Sequence, residues 1–497
     1  MKAHLMFKNA DFVVNQFLPA NADQLVHDLD LETLLTAMAG KDELVKNVSK
    51  VALLDGLDNP ADITYRQRVL ADCLEHPEIV REIYYLAVNA IQEQRKMFWF
   101  NSRNSPTGMM SQSPQVIGMY MGYLKRLRAI VDEHSDKFGS EGWATLFRVL
   151  KDELGDDYFQ LVDDHLKQLK FKNGTLISAR LSFGNTGLDY VLRDSRRAKQ
   201  TMREMLGVGG RKSYSFEIAP RDEAGSKMLN DLMNRGVNSA ANSLTGAADH
   251  LANYFVMLRT ELAFYVGCLN LRERLSTVGE PVCVPMPHPW SPARLSFTGL
   301  YDVCLSLRNN QRVVGNDANA DGRTLIVVTG ANSGGKSTFL RSVGVAHLMM
   351  RAGMNVAAES FEASTCEGIF THFVREEDAS MTSGKLDEEL ARMSIIADEI
   401  KPHCVVLFNE SFSATNEREG SEIARQVIQA LVDSDIRPLV VTHLFDLAER
   451  FYLDAPDTTL FLQAGRETDA RRTFKVLPGK PLPTSFAEDV FERIGGW

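Results

Sequence analysis

The stretch "TLIVVTGANSGGKSTFL" sets Gly330 and Gly335 five positions apart and follows them with Lys336 and Ser337. Glycines at that spacing let successive backbone N–H groups turn toward an anion, and the N-terminus of a following helix adds positive potential. A lysine in that place reaches the β- and γ-phosphates of a nucleoside triphosphate, and the serine hydroxyl is a ligand for magnesium. Gly330, Ala331, Asn332, Ser333, Gly334, Gly335, Lys336, Ser337 and Thr338 therefore form a candidate cradle for ATP and Mg2+.

A second stretch, "CVVLFNE" (404–410), is an apolar run that ends in two polar residues. In a nucleotide-hydrolysis site such a strand delivers an acid that holds the metal, then a carboxylate that orients the attacking water. Here Asn409 takes the first place and Glu410 the second. Ser337, Asn409 and Glu410 are thus the candidate metal residues. Lys336, Glu410 and His443 are the candidate catalytic ones, His443 because it ends the short apolar run "PLVVTH", where it can touch a γ-phosphate. Asparagine keeps one acceptor oxygen and loses the charge, so the expectation is an ATPase that works slowly.

The elements that must hold these residues read as α/β. "TLIVVT", "CVVLF" and "PLVVT" alternate with helical segments such as "KSTFLRSVGVAHLMMRAG" and "GSEIARQVIQALVDS". Strand–helix alternation implies right-handed crossovers and a largely parallel sheet. Upstream, residues 30 to about 165 carry apolar residues at helical spacing, and "SLTGAADHLANYFVMLRTELAFYVGCLNLRERL" (243–275) does so again. Between them "LKFKNGTLISARLSFGNTGLDYVLR" alternates apolar and polar residues around turn signals, as does "KSYSFEI" (212–218), which predicts strands. The proline-dense "VCVPMPHPWSP" marks a boundary. The expected organisation is a segment 1–29, a helical core and lever region 30–285 with a small β-containing tip at about 167–218, and an α/β ATPase region 286–497.

Composition narrows the function classes. The chain has 497 residues, 44% hydrophobic and 24% charged, as in ordinary globular proteins. No apolar run reaches the roughly 18–20 residues that span a bilayer, and the start of the chain carries no signal-peptide pattern. Six scattered cysteines without metal-ligand spacing fit reduced thiols, so a cytoplasmic setting without a membrane partner is expected. The formal charge is −10, yet Leu166–Lys212 holds eleven basic residues and three acidic ones (Asp189, Asp194, Glu204), a local +8. That excess points to a polyanion, and Arg193, Arg196, Arg197 and Lys199 are the candidate DNA-binding residues, through phosphate contacts.

"TGANSGGKSTFLRS", "GMNVAAESFEASTCEGIFTHF", "VVLFNESFSATNEREG" and "VVTHLFDLAERF" together resemble the ATPase domain of MutS proteins, the DNA mismatch-repair ATPases, in order and spacing over roughly 320–450. "DITYRQRVLADCLEHPEIV" is similar to the start of that family's core-and-lever region. The resemblance implies that Glu410 positions the hydrolytic water, that His443 is a switch histidine, and that Ser383, Gly384 and Thr415 belong to segments that reach the second subunit of a homodimer, formed in an ATP-dependent way. Several positions depart from the pattern. Asn409 replaces an aspartate, Leu386 stands near an expected trans-acting serine, and Tyr301–Asp302 replaces a His–Pro pair. A short member, without a mismatch-reading domain before the levers or the family's longer C-terminal element and with little mismatch specificity, is expected. Two other readings remain open at this point. One is an ATP-gated scaffold with little hydrolysis; the other is a chromosome-maintenance or ABC-like ATPase with a protein partner.

Overall fold

In the computed structural model of the chain the described residues are 2–98, 105–169, 175–193, 214–330, 334–374, 384–466 and 472–481. Chain order runs α1 (Ala22–Asp28), α2 (Leu31–Ala39), α3 (Glu43–Leu54), α4 (Pro60–Glu75), α5 (Pro77–Phe98), α6 (Pro106–His134), α7 (Glu141–Glu153), α8 (Asp156–Gln168), then strands β1 (Leu176–Leu181) and β2 (Gly187–Arg193). The long helix α9 (Glu223–Val278) follows. After it come β3 (Met286–His288), β4 (Leu295–Leu300), α10 (Val303–Asn309), β5 (Asn316–Asn319), β6 (Leu325–Thr329), α11 (Lys336–Arg351), β7 (Ser360–Ser364) and β8 (Gly368–Phe373). The last are α12 (Lys385–Glu399), β9 (Cys404–Asn409), α13 (Glu417–Asp433), β10 (Arg437–Val441), α14 (Phe445–Asp454), β11 (Thr459–Arg466) and β12 (Arg472–Pro478). No described helix is long and apolar enough to cross a membrane.

Contacts group the chain into two units: Met1–Ala3 with Glu78–Phe138 and Ala144–Arg259, and His4–Pro77 with Gly139–Trp143 and Thr260–Trp497. Among the described residues, the regular structure of the first unit is helical apart from the antiparallel ribbon β1–β2. Helix α6 starts where capping chemistry places it: Ser105 Oγ accepts from Gly108 N at 3.1 Å, with Pro106 at the first helical position. Helix α9 extends twenty residues further upstream than the periodic stretch at 243–275, because no proline interrupts the chain after Pro220. The ribbon sits on α9 through Ile177 and its cross-strand partner Leu192. Ile177 lies where a Cβ on Gly236 would fall, at 2.5 Å, and Leu192 packs on Met110, Val237 and Ala241. Of the alternating run 212–218, residues 212 and 213 lie outside the described residues and 214–218 do not form a strand: among the described residues β1 and β2 pair only with each other, and a strand without a neighbour leaves its backbone groups unpaired.

The second unit holds the α/β part. A six-stranded sheet has the order β12-β11-β6-β10-β9-β8, parallel except for β12. A four-stranded sheet, β3-β7-β4-β5, is mixed. Alternation along β9 sorts the helices by face. Cys404, Val406 and Phe408 join a core with Ala424, Ile428 and Leu431 of α13 and Leu447, Ala448 and Phe451 of α14. Leu407 points the other way, to α11, where a Cβ on Gly344 would meet its Cδ1 at 2.5 Å. The edge strand β8 is capped: Asn21 and Gln24, at the start of α1, donate to Ile369 O at 2.7 Å and Thr371 O at 2.8 Å. The consequence for function is simple. Strands β6, β9 and β10 run parallel and in register, so their C-terminal ends deliver Thr329, Asn409 and Val441 to one edge.

Candidate active site

At that edge the chain leaves β6 at Gly330 (φ 111°) and enters α11 at Gly335 (φ 96°). Both conformations are natural only to glycine, and β12 comes close to Gly335, where the Phe474 carbonyl would lie 3.3 Å from an added Cβ. Ala331, Asn332 and Ser333 lie outside the described residues. Gly334 is buried, and Ser337 and Thr338 are half-buried in the first turn of α11. Lys336 Nζ is buried and donates to Gly330 O at 2.8 Å, with Glu410 Oε1 at 3.9 Å. Burial pushes the lysine below its ordinary value, and the Glu410 carboxylate pulls partly back.

Ser337 Oγ donates to Asn409 Oδ1 at 2.8 Å, so the asparagine oxygen lies against the hydroxyl expected to share a metal with it. Glu410 follows immediately with φ 55°, its N–H donating to Val441 O at 2.8 Å. Lys336, Ser337, Thr338 and Glu410 line a cavity of about 760 Å³, of a size for a nucleotide. Two oxygens from neutral groups and one carboxylate at a phosphate cradle suit magnesium. That ion keeps several waters and is held by one or two protein oxygens together with substrate phosphates.

The rest of the cavity was not anticipated from sequence. Leu305, Asn309, Gln311, Arg312, Val313, Val314, Asn316 and Phe474 complete its wall. The wall is tied to the cradle helix by Asp302, which caps α10 through Leu305 N at 3.0 Å and accepts from Arg341 of α11, Nε at 2.9 Å and Nη2 at 2.6 Å. Glu280 holds the following loop by accepting from Ser306 Oγ at 3.1 Å and Val313 N at 2.8 Å. The one signal of this wall was the departure at Tyr301–Asp302, whose aspartate has this structural use.

Other expected residues stand apart from the cavity. His443 is exposed, two residues beyond the end of β10 at the same sheet edge, and does not line it. Thr415 precedes α13 and donates to Glu419 Oε2 at 2.9 Å. Gly384 caps α12 and is exposed, while Ser383 lies outside the described residues. In the other unit, Arg193 ends β2, exposed, with Nε donating to Ser178 Oγ at 2.9 Å. Arg196, Arg197 and Lys199 lie outside the described residues.

Comparison with known proteins places this geometry. Residues 326–475, which hold the cradle, Asn409, Glu410 and Phe474, match the family described as MutS domain V, and residues 58–278 match the MutS2 N-terminal domain. The chain belongs to the MutS family. Among its relatives, the Endonuclease MutS2 of Brevibacillus brevis is 30% identical over 174 residues, 34% of this chain and 22% of that protein. The DNA mismatch repair protein MutS of Thermus thermophilus is 30% identical over 173 residues, 34% of this chain and 21% of that protein. Endonuclease MutS2 of Geobacillus kaustophilus is 28% identical over 191 residues, 38% and 24% respectively. The match therefore spans about a fifth to a quarter of each relative's length. The MutS domain V match stops short of the loop 305–316, so part of the cavity wall is outside the family model's range.

Proposed function

We propose that this MutS-family chain is an ATP-dependent DNA-binding protein that hydrolyses ATP slowly, as a conformational switch in mismatch repair or related DNA repair. The observation that carries the reading is one cavity wall shared by Lys336, Ser337 and Glu410, with Asn409 on the serine. Lys336 neutralises the terminal phosphates, the backbone between Gly330 and Thr338 surrounds them, and Ser337 and Asn409 hold the magnesium side. Magnesium, when bound, spreads the charge that develops on the transferred phosphoryl group. Glu410 orients a water for attack. ATPase activity measured with linear, mismatched and branched duplexes tests the whole reading. Absence of turnover at saturating magnesium, with and without DNA, replaces it by the ATP-gated scaffold. Ser383, Gly384 and Thr415 reach the second ATP of a homodimer in this reading, which makes turnover rise more than linearly with protein concentration.

DNA is the proposed polyanion for the tip. The +8 of Leu166–Lys212 supports it, and Arg180 and Arg193 of the ribbon are exposed. Replacing Arg193, Arg196, Arg197 and Lys199 together with alanine is expected to weaken binding to all duplex sequences alike. It should also flatten the salt dependence by up to about four phosphate contacts. Unchanged affinity in a salt titration removes the tip from the DNA contact.

Those contacts are to the backbone and carry no base information. Matched and singly mismatched duplexes are therefore expected to bind within about tenfold, or 1.4 kcal/mol, of each other. A larger preference in competition binding shows that a mismatch reader operates.

A further inference from the structure

The turn after β9 is held in an unusual way. Glu410 (φ 55°) and Phe412 (φ 61°) both sit in the left-handed region, which is costly for residues with a Cβ and persists only where surrounding structure imposes it. Four neighbours do so here. Val441 O of β10 takes the Glu410 N–H at 2.8 Å. The Phe412 carbonyl presses on α13 at Gly420, where an added Cβ would lie 2.3 Å from it. From α12, the buried carboxylate of Glu389 accepts the Phe412 N–H. From β8, His372, fully buried, meets the Ser411 hydroxyl through Nδ1 at 2.7 Å and the Glu389 carbonyl through Nε2 at 2.9 Å. A carbonyl only accepts, so Nε2 carries the ring proton and Nδ1 takes the serine's. Ser411 Oγ also lies 2.6 Å from His372 O, so its single proton is shared between two acceptors on one residue.

Neither Glu389 nor His372 lines the cavity, and a carboxylate sequestered beneath a catalytic turn is an expensive way merely to fill space. We infer that Glu389, assisted by His372, is a positioning residue for ATP hydrolysis: the pair fixes residues 410–412 so that the Glu410 side chain faces the cavity. The inference rests on the hydrolysis reading above. It adds α12 and β8 to the elements that set the turnover rate, and makes the nucleotide grip of Lys336 and Ser337 independent of them, since those residues stand on α11.

The test uses the full chain, with ATP–magnesium turnover and equilibrium ATP binding measured on the same preparations. Glu389→Ala is expected to lower kcat by about 10²-fold, because small misplacements of a catalytic group have costs of that order, while leaving the Kd for ATP within about twofold. Glu389→Gln keeps an acceptor for Phe412 N and should recover most of the loss, since a neutral hydrogen bond retains roughly half the strength of a charge-assisted one. Met393→Ala, one turn along α12 in the same core and without a polar contact to the turn, is expected to lower the melting temperature while each folded molecule keeps its kcat. Should Glu389→Ala not fold, Ser411→Ala decides, with an expected kcat loss of about tenfold at unchanged Kd. Turnover within twofold of wild type in Glu389→Ala overturns the inference, as does a loss of turnover and ATP binding in equal proportion. A wild type without turnover overturns the hydrolysis reading itself, and is distinguished by being seen before any variant is made.

Discussion

Replacing Lys336 with alanine is expected to weaken ATP binding by about 10²- to 10⁴-fold, since each hydrogen bond from a charged group contributes roughly 1.5–3 kcal/mol and the ammonium reaches two phosphates. The ammonium is buried and donates to Gly330 O at 2.8 Å, with the Glu410 carboxylate at 3.9 Å. Burial disfavours its charge, so phosphates that restore a counter-charge gain more here than at an exposed lysine. The variant should keep its fold, because the aliphatic stem leaves a space that opens to the cavity. Titration of a fluorescent ATP analogue measures the loss. Binding within about tenfold of wild type shows that the phosphates do not lie on this loop.

The cradle was legible in sequence because its parts are neighbours in the chain, and so was the strand that ends in Asn409 and Glu410. Their meeting follows from parallel register between β6, β10 and β9, which apolar β-branched runs on either side of helices imply. What was illegible is what tertiary contact assembles. Phe474 reaches the cradle from β12, more than 130 residues further on, and the wall at 305–316 carries no motif. His372 left a faint mark as a histidine inside the apolar run "GIFTHF", and Glu389 sat among other acids in "LDEEL". Nothing in spacing says that these two, and not Glu388 or Asp387, lie beneath Phe412. The alternation at 214–218 misled for the same reason in reverse: pattern promises a strand, but only a partner makes one.

Exchanging Glu410 for glutamine separates holding ATP from hydrolysing it. Glutamine keeps the length and one acceptor, so the left-handed turn and the contact of its N–H with Val441 O remain, while the base that orients water is gone. Turnover is expected to fall by about 10²- to 10⁴-fold, the usual contribution of a positioned general base, with ATP still bound. Asn409→Asp moves the other way. The side chain already lies with Oδ1 2.8 Å from Ser337 Oγ, so an aspartate of the same shape adds a full charge where only a dipole stood. Charge-assisted contacts are roughly twice as strong as neutral ones, hence magnesium affinity should rise by about tenfold and turnover should equal or exceed that of the wild type. Magnesium titrations of kcat measure both effects. An aspartate variant that binds magnesium no better shows that the ion's hold does not pass through position 409. A glutamine variant that turns over as fast as wild type shows that the water is oriented elsewhere, with the exposed His443 then the first residue to replace.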